Sequence, residues 1–368
     1  MAGRNGVLGR ANGWLHRHFL WLLVGAYLLA AVWPWAGSAI RHTTVLDTGM
    51  AGTISLPMVL LAFLLFHAGL AADATDLAGV VRRPVALLAG VAATVAVPLA
   101  VVAGLAAVLG WRHDPDEARC LIAGLGIVAA MPVAGSSAAW SQHAGGSAAL
   151  SLGLVVASTV LSPLTTPLAL AAVGPLNADG NTPGLLGPGT VTFLVVSVVI
   201  PSVAGMVLRR LIGPKVVSCV QPGLKAAGTL VLLVLCYANA TASLPSVAAA
   251  PDWDYLALVV AAVGVLCGSG FAAGWAVARL VGAGDSQRRS LVFGLGMTNN
   301  GTGLVMAGAA LSGVPAAILP VLAYNLVQHL FAGAVSRRLA SECCEHASAT
   351  TGTPASTLGA EYTPLTRA

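Results

Sequence analysis

The chain has 368 residues, 57% of them hydrophobic and only 8% charged, with a formal net charge of +5. A soluble domain carries roughly a quarter charged residues, so this composition excludes a water-exposed globular surface and places the chain among integral membrane proteins. The positive balance does not point to nucleic acid, because the basic residues lie between apolar runs, where they act as topology signals.

A membrane-spanning helix needs about 20 mostly apolar residues. In chain order the sequence predicts spans at 19–37, 54–72, 84–110, 119–140, 147–173, 190–210, 225–245, 254–281, 289–311 and 314–336. The first follows arginines, as a signal peptide does, but it is long, rich in Trp and lacks a cleavage site, so it is read as a span. With residues 1–18 placed in the cytoplasm, fifteen of the 18 basic residues fall on the inner side. Arg41, Arg112 and Arg119 fall outside. That asymmetry is the positive-inside pattern and puts both termini in the cytoplasm. Arginine outnumbers lysine 16 to two, which suggests a GC-rich bacterial genome and hence a bacterial cytoplasmic membrane. The transporter domain is expected at 19–338. The segment 339–368, rich in Ser, Thr, Pro and Gly, reads as a disordered cytoplasmic tail.

Ten spans divide into five and five, as repeat one (19–173) and repeat two (190–336). An odd number per half makes the halves inverted, an arrangement of many secondary transporters, whose sites lie where corresponding helices are interrupted. The fourth span contains "AAMPVAGSSAAW", with Pro132, Gly135, Ser136 and Ser137. The ninth, fourth of its half, contains "VFGLGMTNNGTGLVMAG" at 292–308, with Gly296, Thr298, Asn299, Asn300, Gly301 and Thr302. Proline removes a backbone donor and glycine permits unwinding. Exposed carbonyls at membrane depth are tolerated where they are buried in protein or line a wet cavity. Carbonyls, hydroxyls and amides together suit a small cation and a polar substrate. Close packing of small residues is the competing explanation. The fold class expected is therefore all-α, with broken crossing helices at spans four and nine.

Other polar residues inside spans are Asn239, in "CYANATAS", which lines a cavity or bridges helices, and His329, in "AYNLVQHLFAG". His67 and His329 are the intramembrane candidates for proton coupling; each competes with a neutral, hydrogen-bonded histidine. Acidic residues lie outside the spans or at their edges, Asp73 and Asp254 being the edge cases. Of six cysteines, Cys120, Cys219, Cys236, Cys267, Cys343 and Cys344, none has zinc-ligand spacing, and the 343–344 pair reads as reduced thiols. No nucleophile–base pair is spaced for catalysis, so an enzyme is not expected.

These residues resemble the bile acid:sodium symporter family. "GMTNNGTG" at 296–303 is similar to that family's "GMQNSGLG". "FHAGLAADATDLAGVVRRPVAL" at 66–87 and "LSPLTTPLAL" at 161–170 are similar to its second-helix and fifth-helix endings. The resemblance covers about 19–338. It implies ten helices in two inverted repeats, broken helices four and nine that cross, and sodium ions near the crossing. Carried over position by position, it places cation ligands at Ser137, Ala138, Ser151, Gly294, Leu295, Met297 and Thr298, and a substrate-facing residue at Asn299. The chain departs from the family at three of these places. The family's bridging glutamate is Gly294, its fourth-helix asparagine is Ala138 and its ninth-helix glutamine is Thr298.

The expected activity is secondary active transport of a small organic anion, a bile-acid-like or other carboxylate or sulfonate, by alternating access with sodium as the coupling ion. Ser136, Ser137, Ser151, Gly294, Leu295, Met297 and Thr298 are the cation candidates. Asn299, Asn300, Thr302, His329 and Asn239 are the substrate candidates, and Pro132, Gly135, Gly296 and Gly301 the break positions. No cofactor is expected beyond sodium, and no partner beyond substrate and membrane lipid. The alternatives are a proton-coupled or uncoupled carrier of the same fold, a metalloid exporter, disfavoured because the breaks hold no cysteine, and a non-transporting ligand sensor.

Overall fold

The computed structural model describes residues 2–47, 53–72, 84–110, 114–174, 188–311 and 313–351. Asp73, most of the 66–87 motif after Ala72, Arg112 and the tail from residue 352 lie outside the described residues, as do the side chains of Cys343 and Cys344.

Helix α1 (Ala2–Val32) leads into α2 (Pro34–His42). The two meet at a bend of 94°. Pro34 disfavours the α conformation in the residue before it, and Trp33 accordingly sits at φ −130°, ψ 69°. The first expected span, 19–37, therefore runs across a corner. A short antiparallel pair, β1 (Thr44–Asp47) and β2 (Thr53–Ser55), connects to α3 (Leu56–Ala71). Next come α4 (Pro84–Leu109), α5 (Pro115–Ala130), α6 (Gly135–His143) and α7 (Ala148–Val173). The starts of α5 and α7 are specified locally. Asp114 accepts from the Asp116 amide at 2.8 Å, and Ser147 from that of Leu150 at 3.3 Å; each satisfies an N–H that the first turn leaves unpaired.

Helix α8 (Pro188–Leu194) passes through one π turn (Val195–Val199) into α9 (Ile200–Ala240). The connection expected between 210 and 225 is helical instead. The chain breaks at Gly213 alone, at φ 79°, ψ 161°, a region that is essentially glycine's, and Pro214 then opens the next helix where its missing N–H costs nothing. The rest is α10 (Leu244–Ala249), α11 (Trp253–Leu280), α12 (Asp285–Gly296), α13 (Asn300–Ala310), a 3-10 turn (Pro315–Ile318) and α14 (Leu319–Thr351). Helix α14 thus carries the backbone thirteen residues into the segment expected as a tail from 339.

The protein is an all-α membrane protein apart from the short β pair. Among the described residues, five helices are long and apolar enough to cross a membrane, or six if α1 and α2 together form one bent span. Helix α3 is apolar but has 16 residues. The segments expected at 119–140 and 289–311 do not qualify, because each is two shorter helices. Helices α1, α2, α3 and α9 pack on one another, while α4, α5, α6, α7, α11, α12 and α14 form a second group. Helix α13 touches α3 and α9 on one side and α5 and α14 on the other.

Substituting Gly213→Ala forces a Cβ into that backbone region. It is expected to lower unfolding stability by about 1–3 kcal/mol, read by denaturation in detergent; an unchanged midpoint would show that the kink relaxes freely.

Candidate functional site

Two interrupted helices meet at the centre of the second group. Helix α5 stops at Ala130 and α6 starts at Gly135; α12 stops at Gly296 and α13 starts at Asn300. In the first gap Met131 and Ala134 are extended, and in the second Met297 is extended. The extended pieces pair as an isolated antiparallel bridge, Val133 opposite Thr298. The Asn299 amide donates to the Pro132 carbonyl at 2.8 Å, and the Ala134 amide to the Met297 carbonyl at 3.0 Å. Each interruption thus supplies the hydrogen bonds that the other lost by leaving the helix.

The bridged residues find their outward partners in side chains. The Val133 amide donates to Ser158 Oγ on α7 at 3.0 Å, and the Thr298 amide to Gln328 Oε1 on α14 at 3.1 Å. The carbonyls that end α5 and α12 are treated alike. Thr166 Oγ1 donates to Ala130 at 2.7 Å, and the Tyr324 hydroxyl to Gly296 at 3.4 Å. The two breaks are therefore supported in the same way, each by a helix later in its own part of the chain. Ser158, Thr166, Tyr324 and Gln328 are the residues that sequence reasoning missed. Their signal was a hydroxyl or amide inside an apolar span.

Asn300 is the residue left without partners. It is 2% exposed, and neither its amide oxygen nor its nitrogen has a hydrogen bond. The Thr302 hydroxyl, fully buried, also lacks one. Buried polar groups are rarely left unpaired, so both mark places where an occupant supplies the partner. Two residues apart on a helix, they leave α13 on opposite flanks. Asn299, by contrast, is occupied. Its Oδ1 accepts from the Thr302 amide at 3.3 Å and caps α13. The Thr298 hydroxyl, close to Tyr324, is likewise buried without a hydrogen bond.

The remaining candidates divide. Ser137 and Ser151 are buried, but their hydroxyls donate to the Ala134 and Ala148 carbonyls within their own turns, at 2.7 and 3.1 Å. Gly135 and Ser136 begin an exposed face of α6 that continues through Ala139, Gln142 and His143. Leu295 lies in an apolar cluster with Leu150, Leu154 and Leu291. Asn239 bonds the Leu235 carbonyl at 2.9 Å, and its Oδ1 fills the place where a side chain on Gly308 would sit, so it bridges α9 to α13. His329 packs edge-on against Phe19 of α1, with ring centroids 5.1 Å apart.

Gly135 and Gly296 are end residues of helices bordering the interruptions, and Gly301 lies in the first turn of α13. A Cβ on Gly135 or Gly301 would make only ordinary contacts, but at Gly296 the missing side chain allows close approach. A Cβ on Gly296 would meet the Phe271 ring at 2.5 Å. At Gly294 a Cβ would meet Leu154 Cδ1 at 2.8 Å, and at Gly90 on α4 it would meet Leu154 Cδ2 at 2.6 Å. Leu154, fully buried, thus fills the space beside Gly294 where the resemblance implies a carboxylate.

The sequence profile of the Sodium Bile acid symporter family matches residues 58–250, which include the first break and more than half the chain. The chain belongs to that family. Among curated relatives, the protein YbaS of Bacillus subtilis (strain 168) is 28% identical over 190 residues, 50% of this chain and 58% of the relative. The match thus spans little more than half of that relative's length. The sodium-dependent transporter YocS of the same organism is 26% identical over 268 residues, 72% of this chain and 78% of the relative. The sodium bile acid symporter family is one of membrane transporters, not enzymes.

If the break supports act as described, Ser158→Ala or Gln328→Leu leaves one buried amide unpaired and costs about 1–3 kcal/mol. Thermal unfolding of the purified variants measures it. Wild-type midpoints in both would contradict the assigned role.

Proposed function

We propose that the chain is a secondary transporter of the cytoplasmic membrane that moves a small organic anion together with sodium by alternating access. The observation that carries this reading is Asn300, a buried amide with both ends unpaired, placed where two interrupted helices cross. Membership in a symporter family and similarity to YocS, a sodium-dependent transporter, support it. In this reading the chain forms ten spans in two inverted five-helix repeats. Helices α5 and α6 make one broken span, α12 and α13 the other, and Gly213 divides two spans within α9. The matched supports from Ser158 and Thr166 on one side and from Gln328 and Tyr324 on the other accord with such repeats. Both termini face the cytoplasm, on the strength of the distribution of basic residues.

The group formed by α1, α2, α3 and α9 would rock against the group holding the crossing. Asn300 and Thr302 bind substrate and cation at the crossing. Neutral oxygens, including the Met297 and Pro132 carbonyls, are acceptable ligands for a hard cation. Asn299 positions α13 through its cap.

A proton-coupled carrier is the second reading, favoured by His67. Its Nε2 is buried without a partner, and its ring lies against Gly228 of α9, between α3 and α9. Uptake that follows a pH gradient and ignores sodium would establish it. Binding without uptake would indicate a sensor.

The direct test is thermal shift with taurocholate, glycocholate, pyruvate and succinate, in sodium chloride and in choline chloride. At least one anion is expected to stabilise the protein in sodium alone, and Asn300→Ala to abolish that shift. An Asn300→Ala variant that keeps a wild-type shift would remove Asn300 from the site. Asn299→Ala should instead cost about 1 kcal/mol of stability as a lost cap. Gly294→Glu is expected to unfold at lower temperature, because Leu154 occupies the space, and to recover when combined with Leu154→Ala. Full stability of the single variant would refute the packing argument.

A further inference from the structure

Every helix that reaches the crossing is free of fixed charge through its length near the site. Residues 54–72, 84–111, 120–174, 226–251 and 290–336 contain no Asp, Glu, Lys or Arg. Arg209, within α9, and Arg289, near the start of α12, donate to the Leu70 and Ala144 carbonyls at 3.2 and 2.6 Å. An unbalanced charge in a low-dielectric interior is strongly disfavoured. Neutral dipoles can ligate an ion, but a site with no charge of its own favours an occupant that is neutral as a whole.

We propose that the site takes one monovalent organic anion and one monovalent cation together, as a neutral pair, and that transport is electroneutral and indifferent to membrane potential. This rests on the reading of the crossing as the transport site. The amide of Asn300 suits such a pair, since it offers one oxygen to a cation and one NH2 group to an anion, and both are unpartnered. The Thr302 hydroxyl adds a further polar group on the other flank. A second cation would leave the loaded carrier positive, and the space beside Gly294 that a balancing carboxylate would need is filled by Leu154. The empty carrier is neutral as well, so neither its loaded nor its unloaded crossing moves charge. Binding is mutually dependent in consequence. Sodium without the anion, or the anion without sodium, brings an uncompensated charge into the site.

Proteoliposomes test this at pH 8, where an ordinary imidazole is neutral. Labelled taurocholate, glycocholate, pyruvate and succinate are each supplied with a fixed sodium gradient. Membrane potential is set by valinomycin with potassium either equal on both sides or tenfold higher inside. Each net positive charge carried per cycle would raise steady-state accumulation roughly tenfold under the potassium gradient. The expected result is sodium-dependent accumulation of a monoanion that is the same in both conditions. Sodium-dependent accumulation that rises about tenfold overturns the electroneutral pair and leaves the transport reading intact. No sodium-dependent accumulation of any of the four by folded protein overturns both. Asn300→Asp adds the missing charge. In thermal shift with sodium chloride alone, wild type is expected to show no stabilisation relative to choline chloride and Asn300→Asp to show it. Stabilisation of wild type by sodium alone would also overturn the proposal.

Discussion

The structure depends on an exchange of backbone hydrogen bonds between two interrupted helices. A chain that leaves the helix inside a membrane frees N–H and C=O groups where no water can take them. Here Pro132, Ala134, Met297 and Asn299 take them from one another, and Ser158, Gln328, Thr166 and Tyr324 accept or donate the remainder. Neither interruption is sustainable alone, so each helix break specifies the position of the other. Elements far apart in sequence, α5 with α6 and α12 with α13, are thereby brought to one point.

What the exchange leaves over is informative because so little is left. With Asn299 used as a cap, the unpaired polar side-chain atoms along this stretch are those of Thr298, Asn300 and Thr302. They sit in a stretch, residues 290–336, that contains no Asp, Glu, Lys or Arg. Such a site recognises by hydrogen bonding and by shape. Its discrimination against charge comes from the low dielectric itself, which penalises any occupant that is not neutral as a whole.

The membrane class, the positions of most helices and both interruptions were legible in the sequence, since hydropathy, Pro132 and the run "TNNGTG" act locally. Three features were not. The corner at Trp33 depends on Pro34, which sits in a run apolar enough to read as one straight span. The helical course of residues 210–225 was illegible because the break there is confined to the single residue Gly213, where composition suggests a longer connection. The division of labour between Asn299 and Asn300 follows from one residue's rotation about α13, which makes the first a cap and leaves the second unpaired. The close approach of Phe271 to Gly296 and of Leu154 to Gly294 was also not legible, because both neighbours come from other helices. Ser158 and Gln328 were illegible as supports because their partners lie on other helices.

The most direct measurement is an electron cryomicroscopy map of the protein in sodium with the anion that stabilises it most. Density for the anion within hydrogen-bond distance of the Asn300 amide, with one ion beside it and the bridge between Val133 and Thr298 intact, is the result expected. An Asn300 amide bonded to protein on both ends, with the anion held elsewhere, would contradict the account.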